Sequence, residues 1–315
     1  MTEREAERVE AVTMKHLFII NPAAGGKRNR PEDTAALIRG TVTADEDYEI
    51  YVTKEPMDAC EKIRAEAANG GELRVYACGG DGTLNECVNG AVGLPCVSVT
   101  HFPRGTGNDF IKMFGKENAA RFSDLRSLMD GEIRRLDAID CCGRYGINIC
   151  SVGIDARIGA DVHKYSAIPL IGGATGYVVS LAANLLRGIN RHFIVKTPER
   201  TVDGRFALVC ACNGRFYGGG FNPVPDAVPD DGLIDFLAVG PVSRLQFLHF
   251  VGKYAAGRYR ELGDLVTHLR GTEMEIDADE ELRVNVDGEV LREKHVSFRM
   301  APGTVDFILP KGLEF

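Results

Sequence analysis

An apolar run that ends in glycines and restarts as a helix leaves a chain few ways to fold. Here Leu73-Arg74-Val75-Tyr76-Ala77-Cys78 leads into Gly79-Gly80-Asp81-Gly82-Thr83, and Leu84-Asn85-Glu86-Cys87-Val88 follows with helical character. Glycine lets backbone N–H groups close on an anion, and a helix N-terminus favours negative charge there. An acidic side chain inside such a turn is out of place unless it meets Mg²⁺ or takes a proton. The five residues therefore point to phosphoryl transfer.

The same strand–turn–helix grammar repeats around them. Leu17–Ile20 is a buried strand ending at Asn21-Pro22, followed by a glycine-containing loop and a helix over Pro31–Arg39. Tyr48–Thr53 alternates as a second strand, and Pro56 opens a helix with Met57, Cys60, Ile63 and Ala67 on one face. A helix over Thr83–Asn89 and a strand at Cys96–Val99 continue the series. Successive βα units with short, nearly apolar strands predict a parallel sheet covered on both faces, here over 12–137.

The pattern changes beyond that point. Short strands are expected at Ile147–Cys150, Phe193–Val195, Phe206–Val209, Ile234–Leu237, Met274–Ile276, Leu282–Val286, Val296–Phe298 and Thr304–Leu309, mostly separated by Gly, Asp or Pro. Helical stretches at 174–187 and 243–257 interrupt them. This predicts a second domain over 138–315, a mainly antiparallel sandwich or partly open barrel, with its C-terminal segment free to return to the first domain.

At 315 residues the chain has room for both cores. Its net charge of −8 argues against nucleic acid as the main partner. Nine cysteines show no zinc-site spacing, and with no signal peptide at Met1–Arg4 they favour a reducing cytoplasm and free, mostly buried thiols. Residues 165–186 carry no charge and are long enough to span a bilayer, but Pro169, Gly172, Gly173, Gly176, Ser180 and Asn184 dilute them. A loop and an interfacial or core helix is the expectation, with Lys164, Arg187, Arg191 and His192 offering contact to an anionic membrane.

Three glycine-rich turns follow apolar strands in the first domain: Asn21-Pro22-Ala23-Ala24-Gly25-Gly26, Gly79–Thr83, and Pro103-Arg104-Gly105-Thr106-Gly107-Asn108-Asp109. Turns after successive parallel strands gather at the carboxyl edge of the sheet, where ligands bind. None fits the Walker or dinucleotide fingerprints. Taken together these motifs resemble those of the diacylglycerol kinase catalytic-domain superfamily, in particular its bacterial lipid kinases, and the resemblance runs over essentially the whole chain. It implies a three-layer, phosphofructokinase-like α/β nucleotide domain, a β-sandwich domain, and an active cleft between them.

The resemblance also implies roles. Nucleotide contacts would fall on Asn21, Pro22, Gly25, Gly26, Thr53, Gly79, Gly80, Asp81, Gly82, Thr83, Glu86, Gly105, Thr106, Asn108 and Asp109, with Lys27 or Arg104 offsetting phosphate charge. Asp287-Gly288 reads locally as an ordinary hairpin turn; by resemblance Asp287 is the base that activates the acceptor hydroxyl, with Glu289 beside it. Asp81 is the competing base, or the organiser of phosphate and Mg²⁺. Asp230 and Asp231, with the Val228 and Leu233 carbonyls, would hold a structural Mg²⁺. Asn213-Gly214 and Gly218-Gly219-Gly220 would shape the cleft. The implied activity is an ATP- and Mg²⁺-dependent kinase acting on a lipid alcohol at a membrane surface, first of all diacylglycerol. Phosphatidylglycerol or a long-chain base are alternative acceptors, and a non-catalytic nucleotide-binding regulator is the alternative class. A cytoplasmic protein, transiently membrane-associated and admitting a homodimer, is the corresponding cellular picture.

Overall fold

The computed structural model describes residues 14–25, 30–166 and 173–313, without the side chains of 162–166 and 173–179. The first half alternates as β1 (Met14–Ile20), α1 (Pro31–Thr41), β2 (Asp47–Val52), α2 (Asp58–Ala67), β3 (Glu72–Gly79), α3 (Asp81–Ala91) and β4 (Val97–Pro103). Local chemistry sets these ends. Pro31 occupies the first turn of α1, with Glu32 and Asp33 complementing the helix dipole. Two short helices, α4 (Lys116–Arg121) and α5 (Leu125–Met129), lead into β5 (Glu132–Cys141).

The second half holds β6 (Arg144–Gly146), β7 (Ile149–Gly153), α6 (Ile154–Ser166), α7 (Gly173–Leu186), β8 (Arg191–Lys196), β9 (Thr201–Phe206), β10 (Leu208–Cys212) and β11 (Ile234–Val239). Then come α8 (Arg244–Ala255), β12 (Val266–Gly271), β13 (Glu273–Val286) and β14 (Glu289–Leu309). A reciprocal capping box between Ser243 and Gln246 starts α8.

Strands β4, β3, β1 and β2 lie side by side, all parallel. The chain passes from β1 to β2 on one side and then to β3 on the other, so a topological switch point opens between the loops after β1 and β3. The second domain is antiparallel, and β14 joins the two. It pairs with β13 in the sandwich and ends parallel to β4, matching Asp306 to Ser98. The C-terminal segment thus returns to the first sheet. Asp137, where the sequence suggests a boundary, lies midway along β5, which runs antiparallel to β14.

Three apolar clusters hold this together. One, with Phe18, Val75, Tyr76 and Phe307, fills the α/β domain; a second, with Phe193, Met274, Val284 and Phe298, lies within the sandwich. The third, with Ile154, Leu208, Phe247 and Phe250, packs α6 and α8 against the sheet. Each such side chain contributes roughly 1.5–3 kcal/mol by leaving water.

Several sequence expectations change in detail. The run expected at Phe206–Val209 breaks at Ala207, whose N–H bonds Val239 O and whose carbonyl takes the Ile154 N–H. The segments at 274–276 and 282–286 are one strand, β13, with its register shifted between Asp277 and Leu282. Helix α3 begins two residues earlier than its apolar residues suggest, at Asp81. All nine cysteines are free, and Cys210 and Cys212 lie on one face of β10 with their sulfurs 3.8 Å apart. Among the described residues no helix is long and apolar enough to cross a membrane.

Candidate functional site

The loops after β1, β2, β3 and β4 converge on the first turn of α3. That helix carries no side-chain cap, so no side chain satisfies its leading N–H groups, an arrangement that suits an anion. Asn21 Nδ2 donates to Thr83 Oγ1 at 3.1 Å, tying the first loop to this turn, while Asn21 Oδ1 accepts the Ala23 N–H. Thr53 N–H bonds Ile20 O at 2.9 Å, bringing the end of β2 alongside.

Glycine is obligatory where backbones touch. A Cβ on Gly105 would collide with the Gly80 Cα, whereas one on Gly82 would only push aside the end of the Glu289 side chain. Gly79 O accepts the N–H groups of Arg104 and Gly105 and contacts buried His101 Nε2, so the β3 and β4 turns are stitched together. Burial pushes His101 down to about 4, which keeps it neutral. Asn108 holds the turn with a positive φ of 48° and donates to Gly105 O.

Of the expected nucleotide contacts, Gly26 lies outside the described residues, as do Lys27 and the Lys164 side chain. Pro22 and Gly25 belong to the turn after Asn21. Thr106 and Asp109 sit with Asp81 on the wall of the interdomain cavity. Glu86 stands apart: burial raises its carboxyl, and the nearby Met57 and Ala59 amides at the start of α2, where Met57 is left-handed, oppose that.

Three carboxylates meet at that cavity. Asp81 Oδ1 accepts the Asp109 N–H at 2.5 Å. Asp109 in turn binds Lys112 Nζ and the Gly219 N–H, the latter at 2.8 Å across the domain boundary. Burial, then the charge of Asp109, raises Asp81 to about 6. Asp287 and Gly288 both have positive φ, closing the two-residue hairpin between β13 and β14. The hairpin does not exclude the functional reading, because the same turn places Asp287 on the cavity wall. Asp287 accepts the N–H groups of Ile147, Asn148 and Ile149 at 2.8, 3.0 and 2.9 Å, with Asn85 Nδ2 farther off at 3.4 Å. Burial outweighs those bonds and raises it to about 6.

Behind the carboxylates the cavity, of about 570 Å³, is walled by Ile154 and Ile158 of α6, Leu181 of α7, and Phe247, Phe250 and Val251 of α8. One polar group interrupts this lining. Tyr217 Oη donates to Asp155 Oδ2 at 3.1 Å and meets Tyr254 Oη at 3.0 Å, and burial raises the Asp155 carboxyl. Sequence reasoning missed Asp155; its only signal was an acid in the first turn of a helix that directly follows an apolar strand. Asn85 was missed as well, although it bonds Tyr145 O and takes Arg144.

The donor set can be tested against Mg²⁺. Half-buried Asp81 and the buried Asp109 that repels it suit a cation that also takes phosphate oxygens. The other expected metal set is differently engaged. Asp230 pairs with Arg134, and Asp231 pairs with Arg270 while accepting the Leu233 N–H. A cation bound here with the Val228 and Leu233 carbonyls would share these carboxylates with the two arginines. Among the described residues no three His, Cys, Asp or Glu side chains cluster as a metal site.

The diacylglycerol kinase catalytic domain matches residues 15–141, and the YegS C-terminal NAD kinase beta sandwich-like domain matches 148–309. The "probable lipid kinase YegS-like" of Pseudomonas aeruginosa is 30% identical over 297 residues, covering 91% of this chain and 93% of that protein. A protein of the same description from Shewanella frigidimarina is 29% identical, covering 75% and 76%. Two solved chains from Bacillus anthracis str. Sterne share the fold, the first described as "a putative diacylglycerol kinase" and the second as one of the "diacylglycerol kinases". One has a TM-score of 0.72 at 23% identity, covering 94% of this chain and 96% of its own; the other has 0.67 at 21%, covering 95% and 98%.

Proposed function

This chain belongs to the YegS-like lipid-kinase family built on the diacylglycerol kinase catalytic domain, and from that premise we propose that it moves the γ-phosphoryl group of ATP to a lipid hydroxyl. The supporting observation is the interdomain cavity: an apolar body of about 570 Å³ that ends at Asp81, Asp109 and Asp287. Such a shape suits a molecule with a long hydrocarbon part and one reactive hydroxyl. Diacylglycerol is the acceptor proposed, in keeping with the titles of the Bacillus anthracis structures.

The uncapped first turn of α3 and the loops around it would cradle the triphosphate. Mg²⁺, held by Asp81 and Asp109 with phosphate oxygens, would supply charge neutralisation. Asp287 acts as the base. Its value near 6 leaves it ionised at neutral pH yet basic enough to accept a proton. Three short N–H bonds fix its orientation, and the long contact to Asn85 leaves one lone pair for the acceptor hydroxyl. The remaining work is positioning and electrostatics.

The test is incubation with labelled ATP, Mg²⁺ and mixed lipid micelles, followed by identification of the labelled lipid. Labelled phosphatidic acid supports the proposal. Label on phosphatidylglycerol or a long-chain base would replace the acceptor, and no labelled lipid at all would favour a nucleotide-binding regulator.

A further inference from the structure

A second cavity, of about 400 Å³, opens on the other side of α6, and its lining is unlike the first. Five arginines surround it: Arg157, Arg187, Arg191, Arg205 and Arg283. In a chain of net charge −8 this is a marked local reversal. Buried Asp161 serves two of them, accepting Arg187 at 2.9 Å and Arg283 at 2.7 Å. Among the described residues the other three have no carboxylate within ion-pairing distance. Arg157 reaches only the Gly153, Gly188 and Ile189 carbonyls, and Arg205 the Asn190 carbonyl.

The cavity is not uniformly basic. Asp279, Glu280 and Glu281 stand at its rim on the irregular part of β13. These acids turn to water, however: Asp279 is 85% exposed beside His192, which also binds Asp203, and Glu281 pairs outward with Arg292. The half-buried floor therefore keeps uncompensated positive charge. Burial, then the neighbouring Arg191, brings Arg157 down to about 10, with Asp155 opposing the shift.

We propose that this arginine-lined cavity binds a phosphate anion, presented either as the headgroup of an anionic phospholipid or free in solution. Planar guanidinium groups donate paired hydrogen bonds to phosphate oxygens, and several around one cavity suit a compact multivalent anion better than a chloride. The rim carboxylates limit entry to a small group. Leu186 is 75% exposed beside Arg187, and Leu245 on α8 is 81% exposed. Arg244 ties the start of α8 to the Leu185 and Leu186 carbonyls, so an apolar edge adjoins the site on which a lipid surface could rest. The site stands independently of the proposed kinase reaction, because none of its side chains faces the carboxylate cavity.

Arg191→Gln is the decisive variant, since it removes a charge that has no partner to lose. The full chain and this variant are titrated with inorganic phosphate by calorimetry. Both are then floated with phosphatidylcholine vesicles, with and without phosphatidylglycerol. Arg191→Gln should weaken the responsive arm by about tenfold, the usual size of one charge-assisted bond. Arg205→Gln should act in the same direction, and Glu280→Gln should tighten binding. A response to phosphate alone assigns the free anion; a response only to phosphatidylglycerol vesicles assigns the headgroup. Absence of both responses, or equal binding by Arg191→Gln, overturns the proposal, since surviving phosphate binding would belong to the α3 loops.

Discussion

Replacing Asp81 by asparagine should make this protein more stable while removing its activity. Asp81 is held at about 6 against an ordinary 3.8, first by burial and then by Asp109. At ~1.4 kcal/mol per pKa unit, that shift amounts to roughly 3 kcal/mol against the ionised form, and partial solvent exposure screens it to about half. Asparagine keeps an acceptor for the Asp109 N–H and drops the charge. The folded-state value is raised, so the penalty is absent below about 3.8, grows as pH rises, and is complete above about 6. By that linkage the gain at pH 5 should be about half the gain at pH 8. Thermal unfolding at both values measures it, with a rise in Tm of about 2 °C expected at pH 8. Mg²⁺ and an ATP analogue should then raise the Tm of the parent but not of the variant. A variant less stable than the parent at pH 8, or a gain independent of pH, would refute the electrostatic reasoning.

Asp287→Asn should lower turnover by about 10²–10⁴-fold while nucleotide affinity, measured by titration, changes little. At saturating Mg²⁺ and ATP, where Asp81 is already engaged, the parent's kcat/KM for the lipid should fall about tenfold per pH unit below about 6, since Asp287 must be ionised to take a proton; a flat profile between pH 5 and 7 would count against it. Gly105→Ala forces a Cβ onto the Gly80 backbone, so it should destabilise the fold by about 1–3 kcal/mol in denaturant titration and weaken ATP binding. Ile158→Trp, which narrows the apolar cavity, should raise KM for the lipid severalfold and leave KM for ATP unchanged.

The sequence announced the α/β half clearly because its signals are local. Strand, glycine turn and helix start lie next to one another at Cys78–Leu84, and chemistry at that spacing needs no partner. What it concealed depends on distant pairing. β5 reads as a charged stretch, Glu132-Ile133-Arg134-Arg135, yet is a strand because β14 lies beside it. The bulge that joins 274–276 to 282–286 cannot be seen without its partner strand. Asp287 shows both cases: its hairpin was legible as Asp-Gly, but the three N–H groups that orient its carboxylate come from Ile147–Ile149, far back in the chain. Asp155 stayed hidden because Tyr217 and Tyr254, which give it meaning, come from other elements.

The most direct measurement is a structure of the protein with Mg²⁺, a non-hydrolysable ATP analogue and a short-chain diacylglycerol. The terminal phosphate should rest on the first turn of α3, with the lipid hydroxyl about 2.6–3.2 Å from the Asp287 carboxylate and its chains along α6 and α8. A hydroxyl bound away from Asp287, or a nucleotide seated outside the Asn21, Gly79–Thr83 and Gly105–Asp109 loops, would contradict the account.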